Sequence, residues 1–248
     1  MTQIVLLSGW GIDARLWQRL APHWPSHLRI SSPDWPGYGQ RSPLVDPTDL
    51  DALAHAMRDN LPADAIWVGW SLGGMLAAAL QTRLPAPQAL VMLGAIPRFV
   101  DHIHGGISQQ EIETFRRAFA RDPQRTWQHF LHWQASGEPS PRHARQCLDA
   151  LLGNRMPADT ATLAGGLEQL ACLDLHAVLE RADCPVIYVH GDNDPLLPAT
   201  NRCQPIIRLA DCGHCPHLSA PARLARILAQ IANEPTSGRS LSEVLHAG

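Results

Sequence analysis

The sequence predicts a doubly wound α/β core with a mostly parallel sheet, interrupted by an all-helical insertion. Three observations predict it. Short, almost wholly apolar runs recur along the chain, as expected of parallel strands covered by helices on both faces. Helical patterns separate those runs. Between Pro97 and Arg181 the strand-like runs stop and helix-start signals replace them.

The elements follow in order. Ile4 to Leu7 reads as a first strand rather than a signal peptide, because Met1-Thr-Gln-Ile-Val-Leu-Leu has no basic n-region and no small-residue cleavage site. Asp13 to Leu20 and Leu50 to Asn60 read as helices. Ala65 to Val68 is the second strand, Leu72 to Arg83 a helix, and Ala89 to Leu93 the next strand. Inside the insertion, Ser108-Gln-Gln-Glu111 is a capping box, in which serine and glutamate satisfy each other's backbone donors. Asp122-Pro123 and Ser140-Pro141 each pair an N-cap residue with proline at the first helical position. Val186 to Val189 and Ile206 to Leu209 resume the sheet. Ala220 to Ala232 closes the core as a helix with Leu224, Ile227, Leu228 and Ile231 on one face. The expected organisation is a core of residues 1–96 and 182–233, a helical cap of residues 97–181, and a linker-like tail of residues 234–248 with one short terminal helix.

At 248 residues, with 45% hydrophobic and 17% charged residues, the chain is long enough for a sizeable core of this kind. All 20 basic residues are arginine, so Schiff-base, pyridoxal-phosphate, P-loop and Ser-Lys chemistry are excluded. The net charge of −3 carries no basic excess that would point to nucleic acid. No apolar run is long enough to span a bilayer. Six cysteines spread over this length read as reduced thiols, which predicts a cytoplasmic protein rather than a disulfide framework.

The chemistry concentrates at Gly69-Trp70-Ser71-Leu72-Gly73-Gly74, a G-x-S-x-G pattern set between a strand and a helix. The sharp turn forces the serine into a strained backbone and demands small neighbours. Ser71 would then stand at a helix N-terminus, with the Leu72 amide facing a developing oxyanion. Such a nucleophile needs an acid and a histidine later in the chain. Asp194, in His190-Gly-Asp-Asn-Asp194-Pro, lies at the C-terminal end of a strand, with Asp192 as its rival. His214, after the last strand, is the expected base, with His217 as the alternative. Cys212-Gly-His-Cys215 has the spacing of a thioredoxin-type dithiol. It lacks the early strand and following helix of that motif, and the clustered ligands of a zinc site.

The assembled pattern resembles the α/β-hydrolase superfamily over most of the chain. More narrowly, it is similar to the biotin-pathway esterases that act on pimeloyl-[acyl-carrier protein] methyl ester. The narrower signals are Gly9-Trp10-Gly11, the stretch Ala65 to Gly74 with its tryptophan before the serine, and the cap stretches Gln124-Arg-Thr126 and Gly165-Gly-Leu-Glu168. The resemblance implies an α/β-hydrolase fold and a serine esterase with no cofactor and no metal. It gives Ser71 as nucleophile, Asp194 as acid and His214 as base, with Trp10 and Leu72 supplying the oxyanion-hole amides. It makes Phe130 an aromatic lining of the acyl channel. It implies docking of acyl-carrier protein on cap arginines: Arg125 and Arg142 fall on such positions, Arg145 lies one residue out of register, and His129 occupies the remaining one. Six arginines and two acids between Phe115 and Arg145 give that stretch a local charge of +4, which agrees with a docking face and equally with a solvated helix surface.

Trp10, Trp70 and Phe130 are the expected substrate contacts, with Trp127 and Trp133 as further channel walls or as ordinary packing. The family's usual first strands are missing, which predicts a sheet trimmed at its N-terminal edge. Ser8 stands where members often have histidine, and the turn from Asp34 to Ser42 carries one extra residue. Two other readings stay open: a general short-chain carboxylesterase, and a non-catalytic binding protein built on the same fold.

Overall fold

A computed structural model describes residues 2–101, 106–197 and 206–233. Among these residues the strands are β1 (Gln3–Leu7), β2 (Arg29–Ser31), β3 (Ala65–Trp70), β4 (Ala89–Leu93), β5 (Val186–Gly191) and β6 (Ile206–Leu209). They form one sheet in the order β2-β1-β3-β4-β5-β6, and every pairing is parallel. The helices are α1 (Leu50–Met57), α2 (Leu72–Leu80), α3 (Gln109–Arg121), α4 (Pro123–Ala135), α5 (Pro141–Leu152), α6 (Thr160–Cys172), α7 (His176–Glu180), α8 (Pro216–Ser219) and α9 (Pro221–Asn233). Helices α3 to α7 all lie in the connection between β4 and β5, where the sequence predicts the insertion.

The central strands β3 and β4 are buried throughout, which is why their sequences are continuous apolar runs rather than alternating ones. Helix α9 buries Leu224, Ile227, Leu228 and Ile231, the face its periodicity predicts. In the cap, Ser108 and Glu111 form the reciprocal capping box on α3. Asp122 accepts from the Arg125 amide to cap α4, with Pro123 in its first turn. Ser140 precedes Pro141 as expected, yet its side chain makes no capping bond.

Three local expectations differ. Strand β2 was not anticipated: it is three residues long, sits at the sheet edge and carries Arg29 and Ser31 in place of an apolar run. The segment predicted as a helix from Asp13 forms a 3-10 helix, Ala14–His23, with Pro22 inside it. The last turn before Asn60 also tightens to 3-10 geometry (Arg58–Asn60). The short helix expected in the tail of residues 234–248 lies outside the described residues.

The parallel order brings the C-terminal ends of β1, β3, β5 and β6 to one rim. Leu7 pairs with Gly69, Trp70 with Leu93, and Gly191 with Leu209. Ser8, Ser71, Asp194 and His214 all emerge from the loops beyond those ends, where ligands bind in sheets of this kind. Helix α6 closes over the rim at a glycine: a Cβ on Gly166 would sit 2.7 Å from Cδ1 of Trp10, so only glycine lets this helix approach the loop after β1.

Candidate active site

Ser71 occupies the turn between β3 and α2 with φ 55° and ψ −128°. A non-glycine residue there costs about 1–3 kcal/mol and persists only where its surroundings enforce it. They do so here. The Ser71 amide donates to the Leu93 carbonyl at 2.9 Å. A Cβ on Gly73 would meet the Ser8 carbonyl oxygen at 2.4 Å, and one on Gly9 would meet the Ser71 Cβ at 2.8 Å. The neighbouring glycines are therefore the condition for the serine's position. The amides of Leu72 and Trp10, the expected oxyanion donors, have no acceptor among the described residues.

Asp194 and His214 are brought together. The Nδ1–H of His214 donates to Asp194 Oδ2 at 2.8 Å, and both side chains are 1% exposed. Asp194 Oδ1 accepts from the Leu196 amide at 2.9 Å, which fixes the carboxylate's orientation. A carboxylate at Nδ1 selects the tautomer that leaves Nε2 unprotonated. That Nε2 is buried and has no partner among the described residues, so its lone pair is available as a base. The rivals fall elsewhere. Asp192 faces Arg208 at 3.5 Å, on the surface. His217 is fully buried between Trp17 and Trp70, and burial pushes its pKa well below the usual histidine value. It stands neutral and away from Asp194's hydrogen bonds.

Trp70 was expected at the substrate. It is fully buried, and its indole N–H donates to the His214 carbonyl at 2.7 Å, so it holds the histidine loop. Phe130 lies edge-on to Trp10, with ring centroids 5.0 Å apart, and lines a cavity of about 840 Å³ between α3 and α4. Phe115, Trp133 and Leu167 form other walls of that cavity, and Arg121, Arg125 and His129 also border it. Trp127 does not line it: its indole donates to the Gly11 carbonyl at 2.8 Å.

The expected docking arginines differ from one another. Arg125 and Arg142 are exposed and make no ion pair among the described residues. Arg145 is bound to Asp149 at 2.9 Å and to the Gln128 carbonyl at 2.7 Å. Arg116 pairs with Glu168, which further reduces the free charge of the cap.

Sequence reasoning missed Glu138. This buried cap carboxylate accepts from the Cys215 amide at 2.6 Å and so grips the loop on the far side of His214. No local pattern announces it, because its partner lies 77 residues away. The Cys212 and Cys215 thiols are buried, and burial raises both above the ordinary thiol value. That environment suppresses the thiolate on which dithiol exchange depends.

The model of the alpha/beta hydrolase family matches residues 4–227. The chain belongs to that family. Among curated proteins, this hydrolase is 37% identical over 246 residues to the pimeloyl-[acyl-carrier protein] methyl ester esterase of Aromatoleum aromaticum, covering 92% of this chain and 97% of that one. It is 33% identical to the protein of the same name from Sodalis glossinidius, over 91% of each chain. Solved structures share the fold at lower identity. A bromoperoxidase from Bacillus anthracis superposes with a TM-score of 0.80 at 18% identity, over 94% of this chain and 92% of that one. An esterase from Exiguobacterium antarcticum gives 0.78 at 17% identity, over the same shares. No helix among the described residues is long and apolar enough to cross a membrane.

Proposed function

We propose that this hydrolase is a serine carboxylesterase that cleaves the methyl ester of a pimeloyl chain carried on acyl-carrier protein. What carries the reading is the His214–Asp194 pair at 2.8 Å beside the Ser71 elbow, in a chain related over nearly its whole length to esterases of that name. His214 Nε2 takes the Ser71 proton while Asp194 holds the imidazole and stabilises the imidazolium. Ser71 Oγ attacks the ester carbonyl, and the Trp10 and Leu72 amides receive the oxyanion. The imidazolium then protonates the departing methoxide. Water, deprotonated by His214, repeats the sequence on the acyl-enzyme and releases the free acid and Ser71. No metal or cofactor enters these steps.

The acyl chain would run past Trp10 into the aromatic cavity beside Phe130. The acidic carrier would meet Arg125 and Arg142, whose guanidinium groups stay charged and pair bidentately with carboxylates. Arg145 would join them by giving up Asp149. Five free cysteines among the described residues and a carrier-borne substrate fit a cytoplasmic location.

The test is steady-state kinetics on pimeloyl methyl ester presented on carrier protein against free short esters. A strong preference for the carrier-borne ester is expected. Equal kcat/KM values would leave a general carboxylesterase. Absence of turnover on any ester would leave a binding protein of this fold.

A further inference from the structure

The peptide unit that carries the Trp10 amide joins Gly9 to Trp10, and glycine stands on both sides of Trp10. Glycine backbones rotate more freely than any other, so this unit needs external restraint to keep its N–H in one direction. The restraint lies on the units to either side. Before it, the Ser8 carbonyl accepts from the Trp35 indole at 2.8 Å, and the Ser8 hydroxyl accepts from the Trp17 indole at 3.0 Å. After it, the Gly11 amide donates to the Tyr38 hydroxyl at 3.1 Å, and the Gly11 carbonyl accepts from the Trp127 indole at 2.8 Å. Gly11 itself is held at φ 72°, and a Cβ there would sit 2.9 Å from Cδ1 of Trp127. The Trp10 indole donates to the Leu163 carbonyl of α6 at 2.8 Å. Trp17, Trp35, Tyr38 and Trp127 are all buried, so water does not compete for these bonds.

We propose that Trp127 and Tyr38 are positioning residues for the oxyanion hole, holding the carbonyl and amide of Gly11 so that the Trp10 N–H keeps its direction toward the developing charge. The proposal rests on the esterase reading above. Its particular content is that the cap completes the catalytic centre: Trp127 stands on the buried face of α4, two residues from the exposed Arg125. A carrier protein engaging α4 would press on the same helix that fixes Gly11.

The experiment compares Trp127→Phe, which keeps an aromatic ring and loses the donor, with Tyr38→Phe, which loses only an oxygen. Removing one oxyanion donor outright lowers kcat by about 10²–10³, and misdirecting one is expected to lower it by about 10–100 in each variant, with KM on a free ester within about threefold. Affinity for a trifluoromethyl ketone, whose tetrahedral adduct on Ser71 places an oxyanion in the hole, should fall by the same factor as kcat/KM. Near-UV circular dichroism checks that each variant is folded. If Trp127→Phe is not, Tyr38→Phe carries the test. A kcat within twofold of the parent in the folded variants overturns the proposal, as does a raised KM with unchanged kcat, which would make both residues pocket walls only. Ser71→Ala, run alongside, separates the two levels: retained turnover in that variant removes the esterase reading itself, whereas its inactivity beside fully active clamp variants removes the clamp alone.

Discussion

The rim that holds the proposed triad and the exposed face of the helical insertion are built from opposite materials. At the rim Asp194 and His214 are buried and Ser71 is partly so; beyond the Asp194 and Glu138 carboxylates, the surrounding backbone is held by uncharged donors, the indoles of Trp17, Trp35, Trp70 and Trp127. On the cap the polar groups are arginines, exposed at Arg125 and Arg142 and only partly answered by acids elsewhere. A neutral donor in a dry site fixes geometry without the desolvation penalty of a charge. An exposed guanidinium fixes little and is screened by salt, yet it steers an oppositely charged partner at distance. Chemistry at the rim should therefore depend on single atoms and ignore ionic strength, while recognition by the cap should do the reverse.

The sharpest way to break that contrast is at the proposed triad. Ser71→Ala should lower kcat by about 10⁴–10⁶, and Asp194→Asn, which spoils the imidazole tautomer, by about 10⁴, with both variants folded by circular dichroism. Turnover of a p-nitrophenyl ester by Ser71→Ala at the parent rate would remove the assignment.

Next in size is Glu138→Ala. It orphans the buried Cys215 amide and should lower stability by about 1–3 kcal/mol in chemical denaturation. Glu138→Gln keeps an acceptor and should lose less. Equal stability of all three proteins would mean that the cap does not brace the histidine loop.

The pH dependence of folding comes third. His217 and His190 both have pKa values lowered by burial, so the unfolded chain binds protons that the folded one refuses. Their neutral forms favour the native state above about pH 6.5, and that advantage drains away as pH falls from there toward the depressed folded values. Melting temperature should drop between pH 7 and pH 5. The drop should be shallower in a His217→Gln variant, and an identical slope in that variant would clear His217 of the effect.

The smallest effects belong to the cap. Arg125→Glu and Arg142→Glu should each raise KM for a carrier-borne ester several-fold at low salt and lose that effect at high salt, and Arg142→Glu, which does not border the acyl cavity, should leave free esters unchanged. Arg145→Glu should also perturb α5, because it sets like charge against Asp149. A salt-independent change in all three would mean that the cap face does not work by charge.

Much of this was legible in the sequence, for reasons that also mark where legibility ends. The buried strands and α9 announce themselves because both their periodicity and their burial are local. The Ser71 elbow announces itself because its serine and glycines fall together in one short stretch, although the close approach that demands Gly73 comes from Ser8 in another loop. Strand β2 has no such signature, since three residues at a sheet edge need no apolar run. Helix α6 carries Gly165 and Gly166, and the reason for the second glycine is a contact with Trp10, far away in the sequence. Trp127 and Glu138 act on backbone groups 116 and 77 residues distant, and a backbone carbonyl or amide leaves no trace of its partner in the sequence.

The parallel pairing of β4 with β5 has a consequence for biogenesis. Roughly ninety residues separate these neighbours, and all of α3 to α7 must be synthesised before β5 can dock. Contacts of such sequence separation slow folding, because chain closure precedes the gain from pairing. Until the ribosome has delivered Val186–Gly191, the edge of β4 presents Leu90 to Leu93 with unpaired amides and carbonyls. An apolar edge left open in that way is a template for association between nascent chains. The insertion that gives the enzyme its cap thus also sets the interval over which the growing polypeptide is most exposed to aggregation.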